Sequence, residues 1–180
     1  MHRRRHVKAI KKICNLIEFM SEWSGKVIAW LIVVQVIIIT YEVVMRYFFN
    51  APTIWSHVLS YLLGSTFVFL GMAYVWRHDA NVRIDVFYSK FSPRKKALMD
   101  NIFTFIFFFP LIFMLTKEFA RDTLRSYQIG EQVWMAAWYP LLWPFKLAAT
   151  VGFLLLSLQG IATFIKNIVV ITKGNEGRWL

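Results

Sequence analysis

Four apolar runs, separated by clusters of charge, divide the chain. Residues 27–41 hold only Gln35 as a strongly polar interruption, and with Ser24, Gly25 and residues 43–45 the run reaches the roughly 20 residues that a spanning helix needs. Residues 58–76 carry no charge and close on Tyr74, Trp76 and Arg77, the aromatic and cationic side chains favoured at a membrane interface. The run 101–116, between Asp100 and Lys117, is shorter, but Ser92 and Pro93 upstream read as an N-cap and a proline in the first helical position. That helix therefore starts inside the interface and extends past Thr116. Residues 147–165 are again uncharged, bounded by Lys146 and Lys166. The pattern predicts an all-α integral membrane protein with four transmembrane helices in one membrane domain. Its parts are a basic tail over 1–23, spans over 24–46, 57–77, 97–120 and 144–166, an inner loop over 78–92, an outer loop over 121–143 and a second tail over 167–180.

Local signals refine this outline. Val7, Ile10, Cys14, Ile17 and Met20 recur at helical spacing against Lys8, Lys11, Lys12, Asn15 and Glu18, which predicts an amphipathic N-terminal segment lying at the membrane interface, with a disordered basic tail as the alternative. A cleaved signal peptide fits poorly, because the apolar stretch is too long and Glu18 and Glu22 separate it from the arginines. Pro110 predicts a kink in the third span. Pro140 and Pro144 among Trp134, Trp138, Tyr139 and Trp143 predict an interfacial turn or half-helix at the outer surface.

Composition then removes whole classes of function. With 58% of residues hydrophobic and 17% charged, the chain is not a soluble domain. A net charge of +11 would suit nucleic acid, but sixteen of the 21 lysines and arginines flank the spans on one side. That asymmetry orients both termini and the middle loop to the cytoplasm, and the partner of these cations is membrane lipid rather than nucleic acid. The single cysteine, Cys14, permits no disulfide within the chain, and four histidines offer no metal spacing.

No ionisable residue stands at the middle of a span, which leaves catalysis without a nucleophile and base and leaves proton coupling without a buried carboxylate. His57 and His78 fall at opposite ends of the second span, the wrong depth for a haem pair. Glu42 and Arg46, four apart with the acid first, read either as a pair anchoring the helix end or as a docking contact. Ser60, Gly64 and Gly71 on the second span, and Ala149, Gly152, Gly160 and Thr163 on the fourth, form small-residue stripes that allow helices to approach closely. Gln35 and Gln159 are the most polar residues deep in the spans, each suited to a hydrogen bond within the chain or to a larger partner.

Three stretches carry a resemblance. RYFFNAPTIW over 46–55 follows an Arg-Tyr-x-Phe-Asn-x-Pro pattern before a tryptophan; GMAYVWRHDANVRIDVF over 71–87 has a glycine late in the second span, a polar break and then Val-Arg-x-Asp; PLLWPFK and LQGIATFIK follow. In this order the sequence resembles the small membrane subunit (DctQ-like, or Q subunit) of the tripartite ATP-independent periplasmic (TRAP) transporters. It departs from the family at Val58, where a Glu is common, and at Asn81, where a His is common. The resemblance implies a non-catalytic scaffold subunit in the bacterial inner membrane, without a cofactor of its own. Its partners would be a large (M, DctM-like) membrane subunit that holds the substrate and sodium sites, and a periplasmic substrate-binding protein (P subunit) that delivers a carboxylate or keto acid. The partner-contact candidates are then Glu42, Arg46, Asn50 and Trp55 at the outer turn, Gly64 and Gly71 on the second span, Arg83 and Asp85 ordering the inner loop, and Lys146 and Gln159 on the fourth. The rival from another class is a self-sufficient homo-oligomeric four-helix channel or transporter; a redox-complex anchor is a third, disfavoured by the histidine positions.

Overall fold

A computed structural model describes residues 2–78, 91–134 and 138–173. The elements run α1 (His2–Phe48), α2 (Ser56–Arg77), α3 (Pro93–Phe103), a π turn (Thr104–Phe108), α4 (Phe109–Ile129) and α5 (Trp143–Lys173). Four helical stretches are long and apolar enough to cross a membrane: Lys11–Phe48, Ser56–Arg77, Arg94–Ile129 and Trp143–Thr172. The all-α, four-span architecture is as the apolar runs predict.

Three boundaries differ from the sequence expectation, one of them the end of α5, which runs to Lys173, seven residues past the expected end of the fourth span. The amphipathic N-terminal segment is helical, but no break separates it from the first span, since nothing between His2 and Phe48 is proline. The third span is one helical run from Pro93 to Ile129, nine residues longer than expected at its outer end. It stops where Gly130 takes the left-handed conformation, φ 60°, with the Gly130 N–H donating to Tyr127 O (3.4 Å) and the Glu131 N–H to Ser126 O (3.0 Å). Ser92 precedes α3 with extended dihedrals, as an N-cap does, although its side chain makes no capping bond. The discontinuity expected at Pro110 takes the form of the π turn: proline has no N–H to bond the preceding turn, and Phe109 N–H reaches back five residues to Thr104 O.

Among its described residues the aromatic segment between α4 and α5 closes as a turn. Val133 N–H donates to Pro140 O (3.1 Å) and Leu142 N–H to Glu131 O (2.9 Å), pairing Gln132 with Leu141 in a short antiparallel bridge. Proline supplies only the acceptor in that pairing, which suits Pro140.

α5 packs against all of the other helices, and with α2 it forms the centre; α1 lies along one flank and α3–α4 along the other. In lipid the tails are as apolar as the side chains, so close approach, interdigitation and hydrogen bonds hold helices together. Gly152 lets the two backbones approach closely, because a Cβ there would stand 2.4 Å from the carbonyl oxygen of Phe69 in α2. Around it Ile112, Phe153 and Leu156 form the buried cluster, with ring contacts Phe69–Phe153 at 5.3 Å and Phe119–Phe153 at 4.8 Å. Hydroxyls tie the same interfaces: Trp76 Nε1 donates to Thr163 Oγ1 (3.2 Å), and Thr123 Oγ1 lies 2.9 Å from Thr150 Oγ1.

Candidate functional site

The outer turn between α1 and α2 gathers four of the residues singled out by sequence. Arg46 donates through Nε (3.0 Å) and Nη2 (2.6 Å) to one oxygen of Glu42. The other oxygen accepts the Thr53 backbone N–H at 3.0 Å and the Thr53 hydroxyl. Glu42 thus staples the turn to the helix it follows, and the Arg46 side chain stays half-exposed beside it. Asn50 has φ 48°, a left-handed conformation that asparagine tolerates better than most residues, and Ala51 N–H then donates to Met45 O at 3.0 Å. Trp55 stacks on Tyr41 with ring centroids 5.9 Å apart. Thr53, which the sequence reading passed over, completes the arrangement.

Lys146 is directed into the chain. Its ammonium lies 2.8 Å from Asp122 of α4 and 2.6 Å from Glu131 of the outer loop, with 18% of its side chain exposed. The hydrogen bond from Lys146 holds the Glu131 carboxyl below its ordinary value. This triad closes the outer ends of α4 and α5 together.

At the inner end, Glu18 of α1 pairs with Lys166 of α5, and its carbonyl accepts from Arg77 Nη1 at 2.7 Å. Glu22 receives Arg77 and lies 3.3 Å from His78 Nε2. Two acids to which the sequence reading gave no partner therefore clamp α1 to α2 and α5. Arg83 and Asp85 lie outside the described residues.

Within the spans, Gln159 is 3% exposed and accepts a hydrogen bond from Ser21 Oγ at 2.9 Å, which directs it into the chain. Gln35 differs: its Oε1 is buried with no hydrogen-bond partner among the described residues. Gly64 and Gly71 face α1. A Cβ at Gly64 would find Gln35 Nε2 at 3.9 Å, and one at Gly71 would find Ile28 Cδ1 at 3.6 Å, so both positions have room. A groove of about 1280 Å³ opens between α1, α2, α3 and α5, lined by Ala29, Gly71, Phe103, Thr104, Thr163 and Asn167 among others. Most of its lining is bulky and apolar, with Ala29, Gly71, Thr104 and Thr163 as smaller residues among Phe67, Met72 and Trp76. Among the described residues no group of His, Cys, Asp and Glu is arranged to hold a metal ion.

Comparison with curated proteins and with solved structures returns no match for this chain. The family model described as tripartite ATP-independent periplasmic transporters, DctQ component, matches residues 35–169. That span takes in the α1–α2 turn and the central α2–α5 pair, and it runs from the last third of α1 to within four residues of the end of α5. The chain is a multi-pass membrane protein that belongs to the DctQ components of the TRAP transporters.

Proposed function

We propose that this chain acts as the small permease subunit of a TRAP-type secondary transporter in the inner membrane. It binds a large transport subunit and forms part of the fixed frame for sodium-coupled, binding-protein-dependent uptake of an organic acid. Family membership is the observation that carries the reading. The spans agree with it, since none of the four apolar runs holds an Asp, Glu, Lys or Arg at its middle and the described charged pairs flank those runs, so the chain offers surfaces rather than a translocation path. Substrate and sodium sites then belong to the partner, and this chain needs no cofactor and catalyses nothing. Both termini face the cytoplasm on this reading, which places the Glu42–Thr53 turn on the periplasmic side where a binding protein docks. The groove between α1, α2, α3 and α5 receives a helix of the large subunit.

A tagged pull-down of the chain from its native membrane in mild detergent, followed by mass spectrometry, tests the proposal. Recovery of a many-span protein in equal stoichiometry supports it. A homo-oligomer that transports or conducts by itself after reconstitution would replace it with the self-sufficient channel.

A further inference from the structure

The inner third of α1 presents an apolar stripe that the fold leaves uncovered. Leu16, Phe19 and Trp23 are each about 60% exposed, and Lys12 precedes them on the same helical face at the spacing i, i+4, i+7, i+11. Behind the stripe, Phe19, Met20, Trp23 and Val27 form one wall of a second groove, of about 430 Å³, whose other wall is Leu70 of α2 and Leu155 of α5. Ser24 is the sole hydroxyl among the lining residues, and it already donates to the Ser21 carbonyl at 2.7 Å. Nothing in the groove asks for a polar partner.

We infer that this groove holds one acyl chain of an anionic phospholipid whose headgroup is met by Lys12. Three observations converge. The bulky apolar walls, Phe, Met, Trp, Val and Leu, suit a flexible hydrocarbon chain and offer no glycine or alanine at which a helix could approach closely. The cation stands about 10 Å beyond Phe19 along the helix, away from the span, so charge and apolar surface follow the order of a phospholipid's head and tail. The nearby acids are turned elsewhere, Glu18 to Lys166 and Glu22 to Arg77 and His78, which leaves the field over the stripe positive. The leaflet is the cytoplasmic one on the orientation proposed above, but the site itself does not depend on that orientation.

The test uses the purified full-length chain, with its large subunit where that co-purifies, in nanodiscs of phosphatidylcholine containing phosphatidylglycerol. Native mass spectrometry should find phosphatidylglycerol retained in preference to phosphatidylcholine. Lys12→Gln should reduce that preference roughly fivefold, and Val27→Trp, which fills the groove and leaves the charge, should reduce retention of both lipids. Lys95→Gln, an equal change of charge on exposed α3, is the control. A photoreactive side chain replacing Phe19 should capture phospholipid. Equal retention of the two lipids, an equal effect of Lys95→Gln, or capture of polypeptide by the Phe19 probe would overturn the inference. The retention measurement reads the same with or without the large subunit, so its failure stays separate from a failure of assembly.

Discussion

Gly152→Ala puts one methyl group against the backbone of a neighbouring helix. The new Cβ would lie 2.4 Å from Phe69 O, 2.6 Å from Phe69 C and 3.1 Å from Leu70 N. These are backbone atoms of α2, which no rotamer change can move. Restoring ordinary contact requires α2 and α5 to part by about 1 Å, and a gap of that size forfeits a quarter to a half of the dispersion between the facing atoms. Overpacking of this kind costs about 1–3 kcal/mol beyond the strain that the structure relaxes, and the parting also stretches the 3.2 Å bond from Trp76 to Thr163 and the Phe69–Phe153 contact. Alanine recovers up to about 1 kcal/mol of helix propensity over glycine, which offsets part of the loss. Gly64→Ala is the matched control, because its Cβ meets only Gln35 Nε2 at 3.9 Å and the propensity gain stands alone. Thermal unfolding in a single detergent, followed by circular dichroism, should show Gly152→Ala melting lower by about 2–4 °C for each kcal/mol lost, and Gly64→Ala melting no lower than the parent. If Gly152→Ala melts with the parent, or Gly64→Ala falls further than Gly152→Ala, the inference that α2 and α5 touch through Gly152 is wrong.

Ser21→Ala removes the donor to the buried Gln159 and should lower stability by about 1 kcal/mol, measured as above; Ser21→Ala with Gln159→Leu should recover most of it, since the orphaned acceptor is gone. Glu42→Ala releases the Thr53 amide, whose hydrogen exchange should quicken about tenfold while exchange at the centre of α5 stays unchanged. Because Glu131 is held below its ordinary value of 4.5, its contribution is complete above that pH and is lost as the pH falls through the lower folded value. The difference in melting temperature between the parent and Glu131→Gln should therefore be constant above about pH 5.5 and shrink on acidification below 4.5; a difference that grows with acid would reverse the sign of the argument.

The spans were legible because lipid requires long charge-free runs, and residues 58–76 and 147–165 announce themselves by that alone. The outer end of the third span was not, because past Thr116 the helix continues on Glu118, Arg121, Asp122 and Arg125, where apolar length no longer guides the eye; Gly130, a left-handed stop, was the signal to use. The outer turn could be gathered from sequence because its members lie within fourteen residues of one another, from Glu42 to Trp55. The clamps could not. Glu18 and Lys166 are 148 residues apart, and a pairing at that distance follows from how α1 lies against α5, which no local pattern encodes. The same holds for the two glutamines: alike in the sequence, they differ because Ser21 faces Gln159 while Gly64 faces Gln35.

The unbroken length of α1 makes the subunit a gauge of bilayer thickness. Glu42 near one end and Glu22 near the middle of the helix are each paired with an arginine, and the 20 residues between them measure about 30 Å along the axis, the depth of a typical hydrocarbon core. α3 and α4 meet at a π turn and can bend where the membrane thins. An unbroken helix cannot shorten; it can only lean, and at Glu18 and Glu22 it is already clamped to α5 and α2. A bilayer of the wrong depth therefore draws one of the two ion pairs toward hydrocarbon, and the depth these acids mark is the one in which both remain at a polar boundary.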